Sequence, residues 1–374
     1  MCDNRTMPSK EISSRAELGA RIGEARAAAG KTQSDLAESV GLERSQLAKM
    51  ESGNRNVSAT ELVRIAGVLG RPLDWFVLES PPAVVSRRRS STADFASLDD
   101  ALEGLSRDVE LLIGRRIINA GTRPRLKTPS NINQAVALAA EVRRLLNHVS
   151  GPLVDLQGAC EELGLLAFAM RLGDGSGDAV YAEVESLGVA VINGSADDGR
   201  RRFSLAHELG HHIVGDAFEA VNLGSRTERL LDVFALHLLL PADSVRTSWT
   251  TLDRKFPTRL SALAIAVRFS VSWTAACNQL RYLGLISQEV RDELVSIQPE
   301  KWEHLELGEN QVVELVAPSV PRGYARQVLE AYRGARLTAP KTVDLLRGSL
   351  KEEELPPLDE LAEARLVDEL SAGR

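Results

Sequence analysis

The sequence predicts a mainly α-helical protein with one small antiparallel sheet, an α+β fold in more than one domain. Three observations support this prediction. Apolar residues recur at helical spacing over most of the 374 residues. Three short apolar segments, 165–170, 179–184 and 188–192, lie between turns rich in Gly, Asp and Ser and predict strands. A polar stretch with a proline pair, 79–92, separates a compact N-terminal part from the rest.

The N-terminal part predicts a small all-α unit over residues 15–78, after a polar N-terminus, 1–14, that we expect to be disordered. Gly30 ends the first amphipathic helix, and Thr32 caps a second that Gly41 ends. A third helix covers residues 42–51. Ser58 caps a fourth helix. These are short helices with short turns around one core.

The rest of the chain divides by pattern into a linker with a helix (79–130), a core (131–287) and a C-terminal helical region (288–374). Helices are predicted near 97–119 and 131–149, before the three strands. After the strands the pattern predicts helices around residue 207 and over 226–240, 258–268 and 272–283, then two more between 323 and 348.

Composition and charge exclude several classes of protein. No run approaches the roughly 18 apolar residues of a membrane helix, and no basic start precedes an apolar leader, so we expect a cytoplasmic protein without a membrane partner. The net charge of −7 argues against coating nucleic acid by bulk electrostatics, so such binding needs a local surface. The cysteines, at positions 2, 160 and 277, are too distant and odd in number for a disulfide framework.

The segment His-Glu-Leu-Gly-His at 207–211 is the most informative motif. Residues four apart lie on one helix face, so His207 and His211 can bind one metal ion. Glu208 lies about 100° further round the helix, which suits a general base. Glu228 on a second helix would be the third protein ligand and leave one coordination position open. Asp232, one turn later, can reach the far nitrogen of a metal-bound histidine.

These spacings predict a zinc-dependent peptidase site, although manganese also suits two histidines and a carboxylate. The alternative is a surface helix whose histidines align by chance. The apolar residues around the motif argue against this, because they predict a buried helix. A peptide substrate would pair with an edge strand near Gly188–Ile192. We expect a packing or surface role for His212, and structural roles for the weak oxyanion-binding candidates His237, Arg281 and Tyr282.

The segment 200–211, with Glu228-x-x-x-Asp232 and the Leu-Leu-Leu-Pro run that ends at Pro241, resembles the ImmA/IrrE family of bacterial metallopeptidases. The resemblance covers roughly residues 150–287. It implies a zincin-like fold with a helical extension, His207, His211 and Glu228 as zinc ligands, and Glu208 as catalytic base. It also implies an enzyme that cleaves or controls a DNA-bound repressor in a stress, phage or mobile-element response.

The segment from Thr32 to Arg55 resembles the XRE (Cro/C1-type) helix-turn-helix family. Gly41 makes the turn between two helices, and Leu47 and Met50 hold the second helix to the core. We expect this recognition helix to read a double-stranded operator, as part of a homodimer on an inverted repeat. The expected contacts are base readout by Arg44 and Gln46, further contacts from Glu43, Ser45 and Lys49, and backbone clamps at Gln33 and Arg55. The alternative is a helical module that binds protein.

Together these features predict a DNA-binding transcriptional regulator with a zinc endopeptidase domain that cuts a regulatory protein, or its own linker at 79–92. A second hypothesis is a non-proteolytic repressor, either antitoxin-like with a toxin partner or ligand-sensing, whose metal pocket is structural or sensory. A general peptidase is disfavoured, because broad proteolysis beside DNA would be hazardous in the cytoplasm.

Overall fold

The computed structural model describes residues 14–71, 73–77, 86–87, 96–119, 123–173, 176–215, 225–308 and 312–359. Residues 1–13 of the N-terminus that we expected to be disordered, 1–14, lie outside these ranges, whereas Ser14 is ordered and caps the first helix. Most of the 79–92 linker and the end of the chain also lie outside them. Backbone contacts divide the chain into two compact units, Met1–Pro82 and Ala83–Arg374. Within the described residues no single helix is long and apolar enough to cross a membrane, and only the bent pair Thr258–Phe269 and Trp273–Tyr282 passes, by length and composition alone.

The first unit is all-helical, as predicted. Its helices are α1 (Arg15–Ala28), α2 (Gln33–Val40), α3 (Arg44–Glu51), α4 (Ala59–Leu69) and α5 (Leu73–Val77). Thr32 and Ser58 cap α2 and α4 by accepting the backbone N–H three residues on. Gly41 ends α2 at φ 71°, a left-handed conformation that glycine adopts without steric cost. Buried Leu36, Leu47 and Ile65 join the helices in one core.

The second unit contains twelve described helices and all four strands of the described sheet. Its elements in order are β1 (Ser86–Arg87), α6 (Ala96–Gly114), α7 (Ile132–Leu145), α8 (Leu156–Glu162), β2 (Leu165–Met170), β3 (Ala179–Val184), β4 (Leu187–Asn193), α9 (Asp198–Val214), α10 (Ser225–Leu239), α11 (Ala242–Leu252), α12 (Thr258–Phe269), α13 (Trp273–Tyr282), α14 (Gln288–Ser296), α15 (Lys301–Leu307), α16 (Arg322–Arg333) and α17 (Ala339–Leu345). The predicted strands and the helices at 131–149, 226–240, 258–268 and 272–283 are all found within a few residues of their expected ends.

The sheet has the strand order β1-β3-β4-β2 and is mixed, so the prediction of an antiparallel sheet was wrong. β3 and β4 form an antiparallel hairpin, whereas β2 pairs with β4 in parallel. β2 and β3 are consecutive in sequence but not neighbours in the sheet, because β4 lies between them. The expectation that a substrate pairs along Gly188–Ile192 was therefore also wrong, because both edges of β4 are already paired.

Helices cover both faces of this sheet. On the inner face, α9 and α10 share a core with α7, α12 and α13. On the outer face, α6 packs with the C-terminal helices α16 and α17, where Tyr324 contacts Phe168 edge to face with centroids 5.1 Å apart. α16 and α17 thus complete the sheet's outer layer, whereas α14 packs with the inner core through Leu294.

Candidate metal centre and helix-turn-helix surface

α9 is a well-defined helix whose ends are set by its own sequence. Asp197 caps it by accepting the Arg200 N–H at 2.9 Å, and Gly215 ends it at φ 69°. His207 and His211 lie one turn apart on one face and are 1% and 0% exposed. The buried position contradicts the alternative of a surface helix with chance histidines.

α10 brings Glu228 to the two histidines. Its Oε2 lies 3.3 Å from His207 Nε2, and its Oε1 lies 3.6 Å from His211 Nε2. The two Nε2 atoms are 3.1 Å apart. These three side chains could hold one metal ion, since each offers a ligand atom within 4.8 Å of the others. A tetrahedral zinc with bonds of about 2.0–2.1 Å places its ligand atoms roughly 3.3 Å apart, which these separations match.

A glycine permits this approach of α9 to α10. A Cβ built on Gly210 would lie 3.0 Å from Phe234 Cδ1 and 3.2 Å from Leu231 Cδ2, both on α10. Sequence reasoning missed this role of Gly210. The sequence did contain a sign of this role, because Gly210 lies inside an apolar helix. A glycine there costs about 1 kcal/mol of helix stability relative to alanine, which suggests that close packing requires it.

Asp232 orients one of the histidines. His207 Nδ1 donates to Asp232 Oδ1 at 3.0 Å, so the Nε2 lone pair faces Glu228 and His211. Burial opposes a charge on His207, but Asp232 and Glu228 outweigh it and raise the pKa of His207 above its usual value. For Glu228, burial acts to raise the pKa, but hydrogen bonds to His207 and His211 lower it by more. The pKa of Glu228 therefore lies well below its usual range. The cluster therefore favours a cation at its centre.

Glu208 and His212 lie next to the two histidine ligand candidates and differ in environment. The Glu208 side chain is fully buried beside His207, and its charge acts to raise the pKa of that histidine. His212 points to the sheet, where Nε2 donates to the Leu163 carbonyl at 3.0 Å and Nδ1 accepts from the Tyr181 hydroxyl at 3.1 Å. Burial lowers the pKa of His212 to about 3. A packing role for His212 is confirmed.

A groove of about 490 Å³ adjoins Asp232. Its lining includes Asp178, Asp197, Arg200 and Phe203. Asp178 precedes β3 and forms an ion pair with Arg200 at 2.6 Å. The groove therefore connects the start of β3 to α10 past the N-terminal turns of α9. Sequence reasoning did not find Asp178, because its pairing partner lies 22 residues away in a different element.

The weak oxyanion-binding candidates are elsewhere. His237 is buried at 4% exposure, packs edge to face on Tyr282 and has its pKa lowered to about 4 by burial. Tyr282 is half exposed and lines a different groove with Arg229 and Val233. None of the described hydrogen bonds links these residues to the three clustered side chains.

In the first unit, α3 presents an exposed N-terminal end. Glu43, Arg44, Ser45 and Lys49 are exposed, whereas Gln46 is half-buried and its Oε1 accepts the Glu43 N–H at 3.1 Å. The two expected backbone clamps have partners within the unit. Gln33 Nε2 donates to Glu51 Oε2 and Arg55 Nη2 to Glu61 Oε1, each at 2.8 Å.

Two family models match the chain: a helix-turn-helix model over residues 22–76 and an IrrE N-terminal-like domain model over residues 160–281. The chain carries a helix-turn-helix domain and an IrrE N-terminal-like domain. The second match contains α9 and α10 with all three clustered side chains.

One relative is the radiation response metalloprotease IrrE of Deinococcus radiodurans, 34% identical over 98 residues. This similarity spans 24% of the present chain and 29% of that relative, so less than a third of the relative is matched. The crystal structure of Bacillus thuringiensis PlcR in complex with the peptide PapR7 and DNA aligns at 12% identity over 88% of this chain and 91% of that one. Its TM-score of 0.18 is too low to support an argument about fold.

Proposed function

We propose that this protein is a DNA-binding transcriptional regulator with a zinc endopeptidase domain, which couples repression to cleavage of a regulatory protein or of itself. The stress, phage or mobile-element setting follows from the resemblance of its second unit to IrrE-like proteins. One observation carries the catalytic part: His207, His211 and Glu228 converge beside the buried carboxylate of Glu208.

The residues present fit a metal ion. With Nδ1 of His207 donating to Asp232, three lone-pair atoms face one another in a largely buried place. A metal cation at the centre relieves that arrangement, and two imidazoles with one carboxylate suit zinc, with manganese as the alternative. Three protein ligands also leave a coordination position open, whereas structural zinc sites close all four and rely mostly on cysteine.

Each residue then has a defined task. His207, His211 and Glu228 bind the ion, and Asp232 holds the His207 ring in the correct tautomer. Glu208 takes a proton from the attacking water and delivers it to the leaving amine. When bound, zinc lowers the pKa of a coordinated water to about 7 and polarises the scissile carbonyl.

The DNA-binding part rests on the exposed end of α3. Arg44 and Gln46 are the proposed base readers, with Glu43, Ser45 and Lys49 beside them. Gln33 and Arg55 are the proposed phosphate-backbone clamps. A homodimer would place two α3 helices on the half-sites of an inverted repeat. Because Gln46 caps its own helix, base readout by Gln46 requires exchange of the hydrogen bond to Glu43.

Purified full-length protein, loaded with one equivalent of zinc, tests the catalytic part. We expect it to release fragments from itself or from a repressor encoded beside it, and the Glu208→Gln variant to retain zinc and operator binding but release none. His207→Ala should lose zinc as well. Identical fragments from wild type and Glu208→Gln, or no fragments under any condition, would contradict proteolysis.

A non-proteolytic repressor is the second candidate, favoured by one observation. His207 and His211 on α9 and Glu228 on α10 would bind one ion and so link the two helices inside the main core. A metal with a purely structural or sensory role would link them in the same way. In that case Glu208→Gln should keep full repression and any neutralisation of a toxin partner. His207→Ala should unfold the second unit.

A further inference from the structure

The groove lined by Tyr282 lies on the side of α10 that faces away from the candidate metal centre. Its volume is about 860 Å³, within the range of small-molecule sites. The part of α10 that lines it is one helical face, formed by Arg226, Arg229, Leu230 and Val233. Glu228 lies about 150° round the helix from the centre of that face, at 100° per residue. The groove is therefore distinct from the metal centre but shares a helix with it.

The apolar walls of this groove come from three helices that the fold holds in place. Leu230 belongs to the main core, while Ile132 at the start of α7 and Tyr282 at the end of α13 are each 48% exposed. The Tyr282 ring packs edge to face on His237 with centroids 5.2 Å apart, which fixes its orientation. A ligand with an apolar body would remove the exposed surface of Ile132 and Tyr282 from water.

The charged lining of the groove is basic. Arg226 and Arg229 are its charged residues, and none of the described lining residues is acidic. The groove beside Asp232 has the opposite character, since it contains three aspartates and one arginine. Arg226 Nη2 donates to the Ser130 carbonyl at 2.9 Å, which holds the guanidinium beside the start of α7. Guanidinium groups bind carboxylates through charge-assisted hydrogen bonds, so the groove favours an anion.

We propose that this groove binds a small organic carboxylate with an apolar body, and that this ligand acts through α10 on the metal centre. The ligand contacts α7, α10 and α13 at once. It thereby holds α10, and with it Glu228, in one position against the neighbouring helices. By thermodynamic linkage, the ligand strengthens zinc binding by the same factor by which zinc strengthens binding of the ligand. A metabolite of this class would regulate the metal centre without contacting the metal.

The probe for the test is 4-phenylbutyrate, and its control is 4-phenylbutanol, which has the same apolar body but no charge. Each is titrated into metal-free, full-length Glu208→Gln protein by isothermal titration calorimetry. We expect a dissociation constant of about 0.1–1 mM for the carboxylate, as for a well-fitted ligand of about twelve heavy atoms. The alcohol should bind at least about tenfold more weakly, because it lacks the charge-assisted hydrogen bonds.

Two pairs of variants locate the binding. Ile132→Glu adds a negative charge to the wall of the groove and should weaken 4-phenylbutyrate binding at least about tenfold. Leu145→Glu makes a similar change at the other end of α7, where the side chain is 44% exposed, and should bind like the parent. Arg226→Gln should weaken binding about fivefold. Arg281→Gln removes an exposed arginine next to Tyr282 but outside the lining, and should have no effect.

Zinc competition against a chelator measures the coupling to the metal centre. Saturating 4-phenylbutyrate should tighten zinc binding about fivefold in the parent protein and leave it unchanged in Ile132→Glu. Absence of 4-phenylbutyrate binding, equal affinity for the alcohol, or unchanged affinity in Ile132→Glu overturns the site. Binding that leaves zinc affinity unaltered overturns its action on the metal centre. Because Glu208→Gln is not expected to cut, these outcomes do not depend on whether the protein is a peptidase.

Discussion

Gly210→Ala tests whether the close contact between α9 and α10 sets the distances between the three proposed metal ligands. The new Cβ would lie 3.0 Å from Phe234 Cδ1, about 0.4 Å inside ordinary contact, and 3.2 Å from Leu231 Cδ2. Both side chains are 0% exposed and packed in the core, so we expect α10 to move slightly away from α9 to make room for the new Cβ. α10 carries Glu228 and α9 carries both histidines, so the ligand separations widen.

The magnitude follows from two opposing effects. Alanine gains about 0.5–1 kcal/mol of helix stability over glycine, while overpacking costs about 1–3 kcal/mol. We expect the metal-free protein to lose up to about 2 kcal/mol. A shift of about 0.4 Å exceeds the roughly 0.2 Å tolerance of metal–ligand distances, so zinc affinity should fall at least about tenfold, equivalent to about 1.4 kcal/mol.

Urea unfolding without metal and zinc competition against a chelator measure the two quantities separately. Gly104→Ala is the control, because Gly104 lies within α6 with nothing within 4 Å of an added Cβ. That variant should gain about 0.5–1 kcal/mol and bind zinc as the wild type does. If Gly210→Ala behaves like Gly104→Ala in both assays, the contact of α9 with α10 does not govern the ligand geometry.

Three further predictions concern other contacts. Asp232→Asn should weaken zinc binding about 10- to 100-fold in the same chelator assay, because it weakens the hydrogen bond that orients His207; an unchanged affinity would contradict that role. Burial lowers the pKa of His237 to about 4, below its unfolded value of about 6.5, so it stabilises the fold above pH 6.5 and this contribution is lost as pH falls towards 4. His237→Gln should accordingly flatten the pH dependence of the urea-unfolding free energy by about 1.4 kcal/mol per pH unit over that window, and an unaltered slope would refute the assignment. Glu314→Ala should cost about 3–5 kcal/mol in urea unfolding, because it leaves fully buried Arg202 without its carboxylate partner; a loss below about 1 kcal/mol would show that the C-terminal segment is not integral to the core.

The ligand set was accessible from sequence because its geometry is mostly local. His207 and His211 need only a helix to share a face, and the structure supplies that helix, which Asp197 caps and Gly215 ends. Glu228 can reach the two histidines only if α10 packs against α9 in one particular orientation. The spacing of residues along the chain does not give that orientation. The pattern predicted the helix over 226–240, and the spacing and the family resemblance together pointed to Glu228 as its ligand. The role of Gly210 in bringing the helices together appears only when both are in place.

Sheet pairing and the C-terminal layer were not accessible in the same way. Periodicity finds strands, but it does not give their order in the sheet, and here β4 lies between β2 and β3 and pairs with β2 in parallel. One signal was present and was not used. β2 and β4 are apolar nearly throughout instead of alternating, which indicates a sheet covered on both faces and is typical of parallel pairing. Such a sheet needs a second helical layer, and the spacing of Tyr324, Val328 and Ala331 on α16 provides one.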